Sequence, residues 1–206
     1  MRLTGDRDDL ITALIVFGRR DYGDIPAGGV VLEIGAHLGA FALDAASRGA
    51  RIVYSFEPDP ELFDRLLDNV ARNEFSSRVV ASRTAGVGTP APSVRFHREA
   101  NASGHVEAGS EEGSVICVRA STLAEVLIAH GIECVDLLKL DCEESEYDII
   151  FHEHSETWNR IKRVRLEYHY GRVSDLKQRF SELGFRLARE VAYLPTVGLL
   201  WFDRPQ

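Results

Sequence analysis

Cysteine is scarce in this chain of 206 residues. There are three, Cys117, Cys134 and Cys142. None forms a Cys-x-x-Cys pair, so neither a disulfide framework nor a zinc ribbon is expected, and a reducing compartment fits. Long apolar runs are missing too. The longest near the start, Leu10–Phe17, is far too short to span a bilayer. Basic residues are outnumbered, 24 Lys and Arg against 32 Asp and Glu, for a net charge of −8. That argues against nucleic acid and against a membrane surface as partners. The basic cluster "RIKRVR" (Arg160–Arg165) alternates with Ile161 and Val164 and reads as the start of a buried strand. The opening "MRLTGDRDDL" is polar and acidic, unlike the basic start of a signal peptide, so a cytoplasmic location is expected.

What remains is an ordinary globular composition. Hydrophobic residues make up 45% and charged residues 27%, enough for one good core. One domain, residues 1–206, is expected. A helical extension occupies residues 1–25, with Leu10, Leu14 and Phe17 on one face. "DYGDIPAGG" is a turn-rich separator. Strand and helix then alternate. Val30–Ile34 is a strand, Leu38–Ser47 a helix, Arg51–Phe56 a strand and Pro60–Arg72 an amphipathic helix with proline at its start. Arg78–Ala81 is a short strand. The rhythm breaks over residues 86–114, rich in Gly, Ser, Pro and Ala, which read as a lid or substrate loop. Within it Ser93–His97 and Val115–Arg119 can pair as a hairpin, and Asn101, Ser103 and His105 are polar groups on offer to a substrate. The alternation resumes with helix Thr122–His130, capped by Ser121, strand Val135–Leu140, helix Tyr147–His152, strand Arg163–Tyr168 and helix Ser174–Leu183. Phe185–Tyr193 and Val197–Phe202 close the chain as an antiparallel hairpin.

Repeated strand–helix units predict an α/β fold, a doubly wound, mostly parallel sheet with helices on both faces. Ligands of such folds bind beyond the carboxyl ends of the strands. The loops after Ile34, Phe56, Ala81, Leu140 and Tyr168 should therefore ring the site.

The first of these loops, "LEIGAHLGAF", discriminates between ligands. A phosphate loop needs Gly-x-x-x-x-Gly-Lys-Ser/Thr, and no lysine follows Gly39. A dinucleotide loop needs Gly-x-Gly-x-x-Gly, and His37 stands where the second glycine would touch pyrophosphate. The pattern left, acid-x-Gly-x-x-x-Gly from Glu33 through Gly35 to Gly39, suits S-adenosylmethionine, whose amino-acid end has an ammonium and no phosphate. At the second strand end, Glu57 of "FEPDP" is placed to accept from both hydroxyls of an adenosine ribose. Asp141 ends the apolar strand "LLKL" and is followed by Glu143, Glu144 and Glu146. Acids of a first helical turn account for the last two. Asp141 is closer to the sheet and is the candidate for chemistry.

Several blocks resemble the FkbM-type S-adenosylmethionine-dependent methyltransferases: "VVLEIGAHLGAFAL", "VYSFEPDPELFDRLLDNVARN", "AGVG", "STLAEVL", "VDLLKLDCEESEYDII" and "VRLEYH". The resemblance implies a class I methyltransferase (Rossmann-like) sheet of seven strands, the last antiparallel. It implies O-methylation of a hydroxyl on a natural product or sugar, with S-adenosyl-L-methionine as methyl donor. The cofactor-binding residues implied are Glu33, Gly35, Ala36, His37, Gly39, Glu57, Pro58, Gly86 and Asp141. The chain departs from the family at Glu33 and His37, usually Asp and Asn, at Glu144, usually glycine, and at Ala124, usually aspartate.

Methyl transfer to oxygen needs alignment and removal of a proton, and Asp141 and His169 are the catalytic candidates, with Glu167 behind them. Alternation along "LEYHY" puts Glu167 and His169 on one face. Asp141 with Glu143 could hold a magnesium ion, but no metal is assigned. The expected partner is a small hydroxylated acceptor, and a homodimer is compatible. Two other readings stay open: a degenerate methyltransferase fold kept as a binding module, and a nicotinamide-dependent oxidoreductase.

Overall fold

The computed structural model describes all residues except 4–6, 99–104, 107–113, 144 and 206. Helix α1 (Arg7–Ala13) runs into a π-helical turn, Leu14–Arg19. Strand β1 (Val30–Ile34), helix α2 (Ala40–Ser47), β2 (Ile52–Phe56), α3 (Pro60–Arg72) and β3 (Val79–Ser82) follow. Then come β4 (Ala85–Gly86), β5 (Ser93–Arg98), β6 (His105–Val106), β7 (Ser114–Ser121) and α4 (Leu123–Ala129). The chain continues through β8 (Leu137–Leu140), α5 (Ser145–His152), α6 (Ser155–Trp158), β9 (Arg163–Tyr168) and α7 (Val173–Glu182). It closes with β10 (Arg186–Ala192) and β11 (Gly198–Asp203).

Seven strands form the main sheet in the order β10-β11-β9-β8-β1-β2-β3. Neighbours are parallel except at β11, which runs antiparallel to both β9 and β10. This is the expected α/β sheet, with its last strand reversed. The closing hairpin is present, and β11 inserts between β10 and β9. A smaller sheet, β4-β7-β5-β6, holds the expected pairing of Ser93–His97 with Val115–Arg119. Asn101, Ser103 and Glu144, singled out in the sequence, lie outside the described residues.

Every residue of β1 is buried, because helices cover both faces of the sheet. Leu32, Leu138 and Leu166 face a core with Leu127, Ile149, Trp158 and Phe180. Val31, Val53 and Leu137 face a second core with Phe41 and Leu66. Each fully buried side chain of this kind stabilises the fold by roughly 1.5–3 kcal/mol. "RIKRVR" does enter a strand: Ile161 and Val164 are fully buried, and Arg165 pairs with Asp203 at 2.7 Å over the Trp201 ring. The three cysteines are free thiols. Among the described residues no helix is long and apolar enough to cross a membrane.

Three local expectations differ from the structure. The fourth helix is capped by Thr122, not Ser121, since Thr122 and Glu125 form a reciprocal capping box. The second helix starts at Ala40, because Gly39 takes a left-handed φ of 88° that a helix cannot continue through. In the N-terminal segment Leu10, Leu14 and Phe17 are exposed and Val16 is buried. The π-helical turn breaks the 3.6-residue period on which that face was drawn.

Candidate active site

The carboxyl ends of β1, β2, β8 and β9 meet at one cavity of about 340 Å³. It opens where the strand order reverses, on either side of β1. Its first wall is the turn after β1. Gly35 and Ala36 both donate their N–H to the carbonyl of Phe56, at 3.0 Å each, which folds the turn across the end of β2. Gly35 has φ 82°, and a Cβ there would lie 1.6 Å from the carbonyl oxygen of Asp141. Only glycine lets the ends of β1 and β8 approach this closely.

Glu57 closes the adjoining end. Its Oε2 accepts the His37 N–H at 2.7 Å and its Oε1 accepts the Asp59 N–H at 2.9 Å. Each oxygen keeps a further lone pair, so two vicinal hydroxyls can still be accepted. Burial pushes this carboxyl up to about 7, against the pull of the two N–H groups. His37 sits at φ 52°, and its backbone is bound to Glu57 rather than spread for a pyrophosphate. Pro60 and the Asp59 side chain, which accepts from Glu61 and Leu62, start α3 just beyond.

The floor is a buried lysine. Lys139 Nζ donates to the Gly35 carbonyl at 2.7 Å, and lies 3.1 Å from Asp141 Oδ2 and 3.6 Å from Glu33 Oε1. Its neighbours hold its charge firmly despite burial. Glu33 is fully buried, takes a hydrogen bond from Ser55 at 2.9 Å, and is raised to about 7 by desolvation. Asp141 is held below the usual carboxylate range: burial opposes this, but Lys139 and His169 outweigh it.

At the far end the Tyr22 hydroxyl lies 3.0 Å from Asp141 Oδ2 and 3.1 Å from Glu167 Oε2. A phenol has one proton and can donate to only one of them. Burial and the Asp141 charge raise Glu167 to about 8, so at neutral pH Glu167 keeps a proton. That proton satisfies the second contact, with Tyr22 donating to Asp141. His169, just past β9, lies 3.3 Å from Glu146 and 3.5 Å from Glu143. Burial works against its charge, yet the carboxylates of Glu146, Glu143 and Asp141 raise it to about 10. The imidazole is therefore charged at neutral pH. Ligand atoms of Asp141, Glu167 and His169 lie within 4.8 Å of one another. That grouping of three differs from the pairing of Asp141 with Glu143 named from the sequence.

The cavity wall includes Glu33, Gly35, Ala36 and His37, and further along Glu57, Pro58, Gly86 and Asp141. Gly39 does not line it. A Cβ there would lie 2.4 Å from Leu66, so this glycine admits α3 against the turn. His169 flanks the cavity rather than lining it. Sequence reasoning missed Lys139 and Tyr22. A lone lysine inside "LLKL" was a legible sign, since a buried charge must have partners. Nothing local marks Tyr22. It arrives from the turn-rich segment, which is anchored by Tyr193 Oη donating to Asp21 at 2.7 Å and by Trp201 Nε1 donating to the Asp21 carbonyl at 2.9 Å.

The sequence profile of the Methyltransferase FkbM domain matches residues 33–187. A protein described as 31-O-demethyl-FK506 methyltransferase FkbM, from Streptomyces tacrolimicus, is 29% identical over 175 residues, 71% of this chain and 67% of that protein. The crystal structure of Methyltransferase FkbM from Methylobacillus flagellatus KT matches with a TM-score of 0.61 at 14% identity, over 92% of this chain and 47% of that one. Magnesium protoporphyrin IX methyltransferase (ChlM) from Synechocystis PCC 6803, with bound SAM, matches with a TM-score of 0.52 at 14% identity, over 96% of this chain and 77% of that one. At such identities the two structures speak for the fold alone. The profile spans the strand ends around the cavity, from Glu33 to His169, and the chain belongs to the Methyltransferase FkbM domain family of S-adenosylmethionine-dependent methyltransferases.

Proposed function

We propose that this methyltransferase acts on oxygen, moving the methyl group of S-adenosylmethionine to a hydroxyl of a small molecule. The observation that carries the reading is the polarity of the cavity along its length. Glu57 at one end has free lone pairs for a ribose, and Asp141 at the other already receives a hydroxyl, that of Tyr22. The assignment puts the ribose on Glu57, the base beside Pro58 and Gly86, and the methionine end against Gly35, Ala36, His37 and Glu33. The acceptor then approaches from the Asp141 side.

In the step itself the acceptor oxygen attacks the methyl carbon. The carbon–sulfur bond breaks, its electron pair stays on sulfur, and S-adenosylhomocysteine is released. The hydroxyl proton passes to a protein group. Asp141, ionised beside Lys139, is the group ready to accept it. His169 in its charged form steadies the Asp141 anion and takes over as base only after losing its own proton. Holding the reactants in line can supply up to roughly 7–11 kcal/mol, and a base about 10²–10⁴-fold.

The test is Asp141→Asn beside His169→Ala, in the full chain, with hydroxylated sugars and macrolides as acceptors. The expected result for Asp141→Asn is S-adenosylhomocysteine affinity within a few-fold of the parent and transfer lower by about 10²-fold or more. Abolition by His169→Ala alone, with Asp141→Asn near the parent, would move the base to His169. Methyl incorporation into amines or carbons but into no alcohol would reject the oxygen reading.

A further inference from the structure

Residues Asp141, Glu167 and His169 come from two neighbouring strand ends, β8 and β9, and converge beside the cavity. Asp141 and Glu167 each keep one carboxylate oxygen without a side-chain partner among the described residues. Both side-chain partners of Asp141 among the described residues, Tyr22 and Lys139, sit on Oδ2. Tyr22 meets Glu167 at Oε2. The imidazole has Nδ1 3.3 Å from Glu146 and Nε2 3.5 Å from Glu143, so an ion would take the place of one of these two contacts. A carboxylate behind a histidine is the usual device for fixing the ring and tautomer of a metal ligand.

Glu146 supplies a second, separate observation. It is fully buried, Oε1 accepts the Cys142 N–H at 2.7 Å, and Oε2 has no hydrogen-bond partner among the described residues. A buried carboxylate oxygen left unsatisfied is costly unless strong positive charge stands nearby. Asp141, Glu143 and Glu167 crowd the same histidine, with Lys139 as the other cation. The three candidate ligand atoms lie within 4.8 Å of one another. Metal–ligand bonds of roughly 2.0–2.4 Å let one ion reach all three.

We propose that Asp141, Glu167 and His169 form a binding site for one divalent first-row metal ion, whose open positions take two neighbouring oxygens of the acceptor. Two carboxylates with an imidazole suit manganese, iron or zinc better than magnesium or calcium, which take oxygen ligands alone. An ion here would take the place of the imidazolium proton and lower the acceptor's own hydroxyl pKa. The acceptor class is then an alcohol with an adjacent oxygen, as in a vicinal diol. That last step rests on the O-methylation reading, whereas the ion site does not.

The experiment is a Mn²⁺ titration of the full chain, followed by the paramagnetic resonance of the free ion. Calorimetry with S-adenosylhomocysteine on every variant confirms that it is folded. One ion per chain is expected. Asp141→Asn, Glu167→Gln and His169→Gln should each abolish uptake or weaken it severely, and Glu146→Gln should weaken it by about 10–100-fold as the outer partner. Asp68→Asn, an exposed acid elsewhere, should leave uptake unchanged. Absence of Mn²⁺ uptake by protein that binds S-adenosylhomocysteine would overturn the site. So would uptake indifferent to the three ligand substitutions. Full transfer to an alcohol in EDTA, without uptake, would overturn the site and leave O-methylation standing. Uptake with the expected variant pattern, without transfer to any alcohol, would support the site and remove the acceptor role.

Discussion

The carbonyl oxygen of Asp141 stands where a side chain on Gly35 would begin, 1.6 Å from the place of a Cβ. The turn after β1 and the end of β8, which we propose meet the methyl donor and the acceptor, are thus joined backbone to backbone. Gly35→Ala must push β8 away and also hold a φ of 82°. Left-handed backbone costs about 1–2 kcal/mol for alanine, and overpacking about 1–3 kcal/mol more. Urea unfolding should show a loss above ~2 kcal/mol, with S-adenosylhomocysteine binding lost in whatever remains folded. A stable variant with intact binding would show that the turn can open without consequence.

Glu57→Gln keeps the shape of the side chain and weakens its acceptors. A hydrogen bond to a charged group contributes about 1.5–3 kcal/mol. Calorimetry should therefore find S-adenosylhomocysteine bound at least about tenfold more weakly. In the parent protein, affinity should rise as pH passes through about 7, where Glu57 ionises, and this rise should vanish in the variant. An unchanged dissociation constant would remove the ribose from Glu57.

Lys139→Met leaves Glu33 and Asp141 facing each other with their shared cation gone. Removing one partner of a buried ion pair costs about 3–5 kcal/mol. Adding Glu33→Gln should recover part of that loss, because one stranded charge is removed as well. Unfolding free energies of the two single variants and the double variant measure the coupling. Strict additivity would mean that Lys139 holds Gly35 alone.

Stability should fall steadily from mildly acidic to alkaline pH. Glu33 and Glu57 are raised by burial from 4.5 to about 7, and Glu167 to about 8. For each of them the fold binds the proton more tightly than the unfolded chain does. Their stabilisation is complete below about 4.5 and is lost as pH rises through those values. His169 has the same sign: burial disfavours its charge, but Glu146 and its neighbours raise it from 6.5 to about 10. Its contribution is full below 6.5 and gone above about 10. Asp136 and Asp141, both lowered, contribute in full above their ordinary 3.8 and lose that contribution only as pH falls below it, outside this range. Urea unfolding at pH 5, 7 and 9 should return decreasing free energies, and an increase across that range would contradict these environments.

Much of the site was legible in the chain because strand ends are local events. "LEIGAHLG", "FEP" and "LLKLD" each place a special residue where an apolar run stops, and an alternating α/β pattern gathers such ends on one edge of the sheet. Glu33, Gly35, Glu57 and Asp141 were named for that reason, and they share one cavity. Naming His169 as a catalytic candidate rested on the isolated side chain. Its three carboxylate neighbours come from "DCEESE", and the distance to them is a property of β8 packing beside β9.

The sequence by itself determined the sheet, its parallel run and the chemistry available at its edge, since hydrophobic period and turn residues act over a few positions. Only the tertiary structure decided the ionisation and wiring of that chemistry. Tyr22 meets Asp141 across 119 positions of chain and Glu167 across 145, and no local pattern encodes such contacts. Gly39 packs against Leu66 because a helix two elements on comes back to touch it. Burial sets the strength of every charge here, and burial exists only once distant segments have closed over the cavity.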